Sequence, residues 1–385
     1  MAGAALILLG TTSAPDGGKL EAMTTTAAPL NAPPADFATR VQGTLMGGAL
    51  GDAFGYLVEF DALAEIAAKY GPALLLDLSQ AHGTAHFSDD TQMTLYTLDG
   101  LLDVLEWANN GVSADINACQ WLAYLRWLKT QGIEAAEHAP AQSARWIDAQ
   151  SVLHHQRHPG NACVSGLATG DMGTVFRPVN LDSKGCGTVM RSAPYGLLPN
   201  IDAESIYKIS SEGASLTHGH PAARQSSAAF SWLIHALVMG GLNLREAATS
   251  ARDRAVAEPN ADADLLARLE SALTLSAHDG GQLHGDSLTD ALGLGWIAEE
   301  ALAVALYSVL VTEAAAVSPV DHFLAAIRLA TNHSGDSDST ASIAGNILGA
   351  FYGEAALPPS WLTMAEAPIL IRHLGAEFIK LTTGE

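Results

Sequence analysis

The fold class of this 385-residue chain is decided by residues 37–51, which read FATRVQGTLMGGALG. Their apolar side chains recur every three or four positions, as they do on the buried face of an α-helix. Gly43, Gly47 and Gly51 form a second stripe along the same helix. Because glycine weakens a helix interior, three of them at four-residue spacing predict that another backbone packs closely against this helix.

A similar stripe lies near the other end of the chain. Within residues 339–353, small residues again recur at helical spacing: Ser342, Gly345, Gly349 and Gly353. The two helices are therefore predicted to cross closely in the core.

Amphipathic periodicity elsewhere predicts further helices, over residues 91–107, 114–130, 222–239, 244–256, 262–275, 297–307, 319–331 and 364–374. Strand-like alternation is nearly absent from the sequence. Residues 71–90 and 154–196 are rich in Gly, His and Pro, and are predicted to be loops. The predicted fold class is all-α, a compact helical bundle with its loops gathered at one face.

Composition and charge narrow the class of protein. Apolar residues make up 48% of the chain, and 19 Lys and Arg against 41 Asp and Glu give a formal net charge of −22. Such a surface argues against nucleic acid or an anionic membrane as the main partner. No uncharged apolar run of about 18 residues is present, so no membrane span is predicted. Three cysteines without a CxxC spacing favour a reducing compartment, and we predict a cytoplasmic location.

Two short acidic segments carry the clearest chemical signal. Residues 88–91 read SDDT, and residues 336–340 read DSDST, each just before a predicted helix. One Ser or Asp in each would suffice as a helix cap, which leaves carboxylates that capping does not explain. Four carboxylates brought together by folding repel one another unless cations lie among them. Oxygen ligands of this kind suit Mg²⁺, Mn²⁺ or Ca²⁺ rather than zinc.

Three more segments contain candidate functional residues. Residues 51–59, GDAFGYLVE, place Asp52 and Glu59 in an otherwise apolar run, so each either meets solvent or has a partner. Residues 185–191, GCGTVMR, would let a phosphate approach the backbone beside an arginine, although no dinucleotide-binding fingerprint is completed. His218 and His220 could bind a metal, contact a substrate or be ordinary loop residues.

Together, the order and spacing of these five segments resemble those of the ADP-ribosylglycohydrolase family, hydrolases that remove ADP-ribose from arginine and other side chains. The resemblance runs from about residue 38 to about residue 356. It implies an orthogonal all-α bundle whose central cleft holds two Mg²⁺ or Mn²⁺ ions. It also makes residues 37–385 the catalytic domain, while residues 1–36, rich in Ala, Thr, Pro and Gly, are predicted to be a flexible N-terminal extension.

The resemblance also assigns roles by motif. The implied metal ligands are Ser88, Asp89, Asp90, Asp336, Asp338 and Ser339. The implied catalytic residues are Glu59 and Asp90. The implied substrate-binding residues are Gly185, Gly187, Thr188, Met190, Arg191 and His218. Serine replaces the family's commoner threonine at positions 88 and 339, and a hydroxyl remains in both places.

The implied activity is metal-dependent hydrolysis of the N-glycosidic bond of an ADP-ribosylated protein side chain. Arginine is the side chain that the resemblance favours. A second hypothesis makes the chain an immunity protein that binds and occludes an ADP-ribosyltransferase toxin through its N-terminal extension, with or without hydrolase activity. A third makes it an inactive family member, against which the intact acidic segments count.

Overall fold

Helices carry almost all of the regular structure in this computed structural model, which describes residues 33–34, 36–81, 83–278 and 281–384. The predicted extension, residues 1–36, lies outside the described residues except for positions 33, 34 and 36. The described α-helices are α1 Phe37–Gly55, α2 Leu63–Tyr70, α3 Asp89–Asn109, α4 Ile116–Thr130, α5 Asn161–Ala168, α6 Ala193–Gly196, α7 Ala203–Ala214, α8 Pro221–Val238, α9 Leu244–Val256, α10 Ala263–Leu275, α11 Asp286–Leu292, α12 Ala298–Thr312, α13 Pro319–Thr331, α14 Ser337–Tyr352, α15 Pro359–Leu362 and α16 Pro368–Thr383.

In these same ranges, pairing between extended segments is limited to isolated β-bridges. Short 3-10 helices occupy Leu78–Ala81, Trp146–Ala149, Ser151–Leu153, Cys186–Thr188, Glu313–Ala315 and Gly353–Ala356. The predicted all-α class is confirmed.

The predicted close crossing is formed by α1 and α14, which run antiparallel with their backbones in contact. A Cβ atom added at Gly345 would lie 2.1 Å from the carbonyl oxygen of Gly47, and one added at Gly349 would lie 1.9 Å from that of Gly43. Moving four residues forward along α1, from Gly43 to Gly47, therefore corresponds to moving four residues back along α14, from Gly349 to Gly345. Glycine is needed here because any side chain would force the two helices apart.

This crossing brings the last turn of α1 to the first turn of α14. A Cβ at Gly55 would lie 2.2 Å from the carbonyl oxygen of Ser337 and 2.5 Å from the Cα of Asp338. The segment that carries Asp52 and Glu59 is therefore held against the second acidic segment. The glycine stripes decide where the carboxylates meet.

Apolar burial holds the rest of the bundle around this pair. Helix α12 is buried on nearly every face, as expected of a helix that is apolar all round. Helices α3 and α8 are also buried along most of their length. The core therefore surrounds α1 and α14, and the loops that precede α3, α6 and α14 meet at one side.

The structure contains several helices that periodicity did not predict. The predicted loop 154–196 contains α5 and α6, and α2, α7 and α11 lie in segments that were left unassigned. Most of these helices have eight residues or fewer, too short to show a period. Helix α7 is longer, but small residues such as Ser210 and Gly213 make up much of its buried face, which weakens the apolar pattern.

Candidate active site

The first acidic segment lies at the start of α3. Ser88 is the N-cap, and its hydroxyl oxygen accepts a hydrogen bond from the backbone N–H of Asp90 at 3.2 Å. Asp89 Oδ2 accepts one from the N–H of Gly160 at 3.2 Å. Asp90 Oδ2 is buried without a hydrogen-bond partner among the described residues. Ser88 alone caps the helix, so the two carboxylates are available for another role.

The second acidic segment starts α14 in the same way. Asp336 is the N-cap, and Asp338 lies in the first turn. The N–H of Ser339 donates to Asp338 Oδ1 at 2.9 Å and, more weakly, to Asp336 Oδ1 at 3.4 Å. The thiol of Cys186 donates to Asp336 Oδ2 at 2.8 Å. This contact joins the acidic segment to the loop that contains Gly185 and Gly187.

Asp52 ties these parts together, and the sequence analysis left its role open. It is fully buried on α1 and accepts hydrogen bonds from the backbone N–H groups of Ser88 at 2.8 Å and Thr91 at 3.0 Å, and from the Thr91 hydroxyl. Burial, and next the charge of Asp338, raise the pKa of Asp52 to about 7. Asp52 is a positioning residue that holds the start of α3 against α1. The sequence feature that pointed to Asp52 was an acidic residue between Gly51 and Gly55 in an otherwise apolar helix.

The two acidic segments open onto one cavity of about 540 Å³. Most of the predicted site residues line it: Glu59, Asp89, Asp90, Gly185, Gly187, Met190, His218, Asp336, Asp338 and Ser339. Folding therefore places five carboxyl groups from three separate segments around one space.

Burial and mutual repulsion dominate the electrostatics of this cavity. Burial, and next the charge of Asp338, raise the pKa of Asp89, Asp90 and Asp336 well above the ordinary aspartate range. The same two causes raise the pKa of Glu59 to about 10. Carboxyl groups crowded in this way favour either protons or cations.

The donor set fits hard divalent cations in its chemistry. It offers carboxylate and hydroxyl oxygens, the ligands that Mg²⁺ and Mn²⁺ prefer, and buried oxygens of Asp90 and Glu59 that lack described hydrogen-bond partners. In the described part of the chain, no group of three or more His, Cys, Asp or Glu side chains is arranged to hold a metal ion as it stands.

A second wall of the cavity is built from Gly185, Cys186, Gly187 and His218, and it meets the acidic segment where the Cys186 thiol contacts Asp336. Cβ atoms added at Gly185 and Gly187 would lie 2.9 Å from His218 Nε2 and 2.7 Å from Cys163 Sγ. Glycine at both positions therefore lets the loop pack against these side chains. Burial, and next the charge of Arg191, lower the pKa of His218 to about 3. His218 is a neutral imidazole, and its Nδ1 lies 2.8 Å from the hydroxyl of Thr217.

Arg191 lies behind this wall. It is 1% exposed and is absent from the described residues that line the cavity. Its guanidinium donates to Thr217 Oγ1 at 2.7 Å and Cys163 Sγ at 3.3 Å, and lies 4.4 Å from the ring centroid of Tyr124. None of the ion pairs among the described residues includes Arg191. Its positive charge therefore lies one side chain away from the cavity and is not neutralised by a neighbouring carboxylate.

Two other predicted residues also lie outside the cavity lining of the described chain. Ser88 is behind the carboxylates as the helix cap. Thr188 points away, and its hydroxyl donates to the carbonyl oxygen of Ala223 at 3.0 Å. Both support lining residues through the backbone.

Sequence reasoning missed a group of lining residues, because most of them lie in loops, or in the short helix α5, that carry no motif. They are Phe60, His158, Pro159, Gly160, Asn161, Ala162, Cys163, Ser183, Cys186 and Trp296. A partial signal existed for two of them, since Phe60 follows Glu59 directly and Cys186 lies between Gly185 and Gly187.

The fold and this acidic cavity define a class of protein. The family model described as ADP-ribosylglycohydrolase matches residues 33–383, and the chain belongs to that family. Members of the family generally depend on Mg²⁺ or Mn²⁺ for activity. Family membership supports ADP-ribosyl hydrolase activity in general.

Among particular relatives, the chain is 24% identical over 342 residues to the ADP-ribosyl-[dinitrogen reductase] glycohydrolase of Rhodospirillum rubrum, covering 86% of this chain and 91% of the relative. A solved structure described as an ADP-ribosylglycohydrolase-related protein complex superposes with a TM-score of 0.58 at 21% identity. It covers 91% of this chain and all of that one, which shows a shared fold. No described helix is long and apolar enough to cross a membrane.

Proposed function

We propose that this chain hydrolyses the N-glycosidic bond between ribose C1 and an arginine guanidinium in ADP-ribosylated proteins. One observation carries the proposal: a single cavity is lined both by five carboxyl groups and by a neutral histidine with a buried arginine behind it. ADP-ribose has two matching parts, a hydroxyl-rich ribose and an anionic diphosphate.

The acidic part of the cavity suits the reacting ribose. Asp89, Asp90, Asp336 and Asp338, with the hydroxyl of Ser339, are the proposed ligands of two divalent cations, Mg²⁺ or Mn²⁺; Ser88, predicted as a further ligand, holds these carboxylates in place as the helix cap. Such ions, when bound, polarise a water molecule and the ribose hydroxyls. The carboxylates that line this part of the cavity stabilise the oxocarbenium character that develops at C1.

Two carboxylates are placed to move protons. Glu59 Oε2 and Asp90 Oδ2 are buried on the cavity and have no described hydrogen-bond partner. The burial and the repulsion that raise the pKa of both groups would be offset by bound cations. In the proposed step one of the two carboxylates, ionised, takes a proton from the attacking water as the water oxygen bonds to C1. The C1–N bond breaks, its electron pair stays on the guanidino nitrogen, and arginine leaves after protonation.

The wall formed by Gly185, Gly187 and His218 is suited to bind the diphosphate. Thr217 Oγ1 accepts from Arg191, so its own hydrogen is free to point at His218 Nδ1, which leaves the imidazole proton on Nε2. That N–H, beside Gly185 and Gly187, can donate to a phosphate oxygen. Arg191 adds an unneutralised charge behind the wall, which strengthens the attraction at low dielectric.

Release of ADP-ribose from an arginine-ADP-ribosylated protein tests the proposal. Asp89→Ala and Asp338→Ala are expected to abolish release while far-ultraviolet circular dichroism stays unchanged. Asp290→Ala, which removes an exposed acid on α11, serves as the matched control. EDTA is expected to stop the wild-type reaction, and added Mg²⁺ or Mn²⁺ to restore it. Near-wild-type release by both cavity variants would overturn the proposal.

The immunity-protein alternative depends on residues 1–36, which lie almost wholly outside the described residues. None of the contacts described above bears on a toxin partner.

A further inference from the structure

Three aromatic side chains stand at the mouth of the cavity without a role in the mechanism above. We name Phe60, His158 and Trp296 the aromatic collar. Phe60 is 61% exposed and Trp296 is 40% exposed, although both line the cavity. Their rings are 14° from parallel with centroids 6.0 Å apart, and His158 lies edge-on to Phe60 at 4.9 Å.

The backbone holds these rings firmly at the mouth. The carbonyl oxygen of Trp296 accepts a hydrogen bond from the N–H of Cys186 at 3.2 Å. His158 has a left-handed backbone with φ of 56°, a conformation that a non-glycine residue adopts only when its surroundings impose it. Its neighbour Arg157 is fixed by a buried ion pair with Glu366. Loops anchored in this way present preformed aromatic faces to solvent.

The position of the collar relates it to the departing group. Phe60 follows Glu59 in the chain. The carbonyl oxygen of Trp296 accepts a hydrogen bond from the backbone N–H of Cys186, whose thiol contacts Asp336. The collar is therefore rooted in the residues that surround the reacting carbon. A protein-borne side chain has to enter from solvent, and the collar forms part of the exposed rim of the cavity, beside Gly160 and Asn161.

We propose that the aromatic collar stacks against the guanidinium of the ADP-ribosylated arginine and so selects arginine over neutral linkages. A guanidinium is flat and cationic, and stacks well on aromatic faces. The carboxyl groups below the collar add charge complementarity. A serine-linked substrate has no positive charge and gains nothing from the rings. This inference rests on the proposed hydrolase function and names its specificity determinant.

The test uses the full-length protein with Mg²⁺ or Mn²⁺ and compares Phe60→Leu and Trp296→Leu with wild type. Leucine keeps apolar bulk but removes the ring. On an arginine-ADP-ribosylated peptide, each variant is expected to lose roughly 3- to 30-fold in kcat/KM, the range of a cation–π contact. The inhibition constant of free ADP-ribose is expected to stay within about twofold, since ADP-ribose lacks the guanidinium.

Two further variants serve as controls for the ring face and for the loss of an exposed aromatic side chain elsewhere. Phe60→Tyr keeps a ring face and is expected to retain wild-type turnover. Trp107→Leu removes a 47% exposed tryptophan at the far end of α3 and is expected to change neither quantity. Equal losses in turnover and in ADP-ribose binding would overturn the inference and assign the rings to the adenosine end. Unchanged turnover in both leucine variants would also overturn it.

Failure of the proposed function has a different signature, because wild type would then release no ADP-ribose from the arginine linkage. In that case intact ADP-ribosyl-arginine and ADP-ribose are titrated calorimetrically against wild type and Phe60→Leu. A preference for ADP-ribosyl-arginine that Phe60→Leu abolishes supports the collar without any turnover. Equal affinities for the two ligands in wild type overturn it.

Discussion

Gly345→Ala tests the physical basis of the fold, the backbone contact between α1 and α14. The added methyl carbon would lie 2.1 Å from the carbonyl oxygen of Gly47 and 2.6 Å from its carbonyl carbon. A comfortable contact is about 3.5 Å, so the helices would have to separate by roughly 1 Å along their crossing. The obstacle is backbone on both sides and cannot rotate away.

The magnitude follows from two opposing terms. Overpacking a core costs about 1–3 kcal/mol, and a rigid backbone obstacle places this site at the upper end. Replacing glycine by alanine inside a helix returns about 1 kcal/mol of helix propensity. We therefore expect Gly345→Ala to lower the free energy of unfolding by about 2 kcal/mol.

Urea unfolding followed by circular dichroism measures this change, with Gly375→Ala on α16 as the matched control. There the nearest atoms belong to the end of the Gln42 side chain, at 2.8 Å, which can move aside. The control is expected to remain within about 1 kcal/mol of wild type, because the gain in helix propensity offsets any weakening of the hydrogen bond from Gln42 Nε2 to the carbonyl oxygen of Arg372. If Gly345→Ala is as stable as Gly375→Ala, the α1–α14 contact is not the constraint described here.

Three more predictions concern buried polar groups around the site. Asp52→Asn turns one acceptor into a donor facing backbone N–H groups, and should lower the free energy of unfolding by about 1–3 kcal/mol; an unchanged urea midpoint would contradict this. Arg191→Lys loses the paired bonds to Thr217 and Cys163, and should raise KM for the ADP-ribosylated substrate more than it lowers kcat; an effect on kcat alone would count against a binding role. For Glu366, burial would raise the pKa, but hydrogen bonds from Arg157 and His86 outweigh it and hold the pKa below the ordinary value of 4.5. The ionised Glu366 therefore stabilises the folded protein fully above pH 4.5, and this stabilisation is lost as the pH falls through the folded-state pKa. The difference in free energy of unfolding between wild type and Glu366→Gln should therefore shrink on acidification. A difference that does not change with pH would refute the assignment.

Much of the candidate site could be predicted because its signals are local. Ser88 and Asp336 are helix N-caps, and capping depends on residues within one turn. The surplus carboxylates beside them were visible as acids that capping did not need. Periodicity likewise predicted the long helices, and spaced glycines predicted the α1–α14 crossing.

Other residues could not be placed from sequence, because their roles depend on distant partners. In the sequence, an arginine after a glycine-rich loop indicates a direct phosphate ligand. In the structure, however, the side chain of Arg191 is enclosed by Thr217, Cys163 and Tyr124. Trp296 has no motif, and backbone hydrogen bonds between residues 296–298 and residues 184–186 bring it to the cavity mouth. Asp52 looked equally suited to solvent or to a partner until α3 was packed against it.

By itself, the sequence determined the helical class, the two acidic helix starts and the family, since helix period, capping and motif order are properties of neighbouring residues. Only the tertiary structure decided which carboxyl groups share a cavity, that Arg191 lies behind its wall, and that three exposed rings lie together at its mouth. The physical reason is range: these relations join residues far beyond one helical turn of each other, from 26 positions apart for Arg191 and Thr217 to 150 for Cys186 and Asp336. They exist only because two glycine-lined helices can approach until their backbones touch.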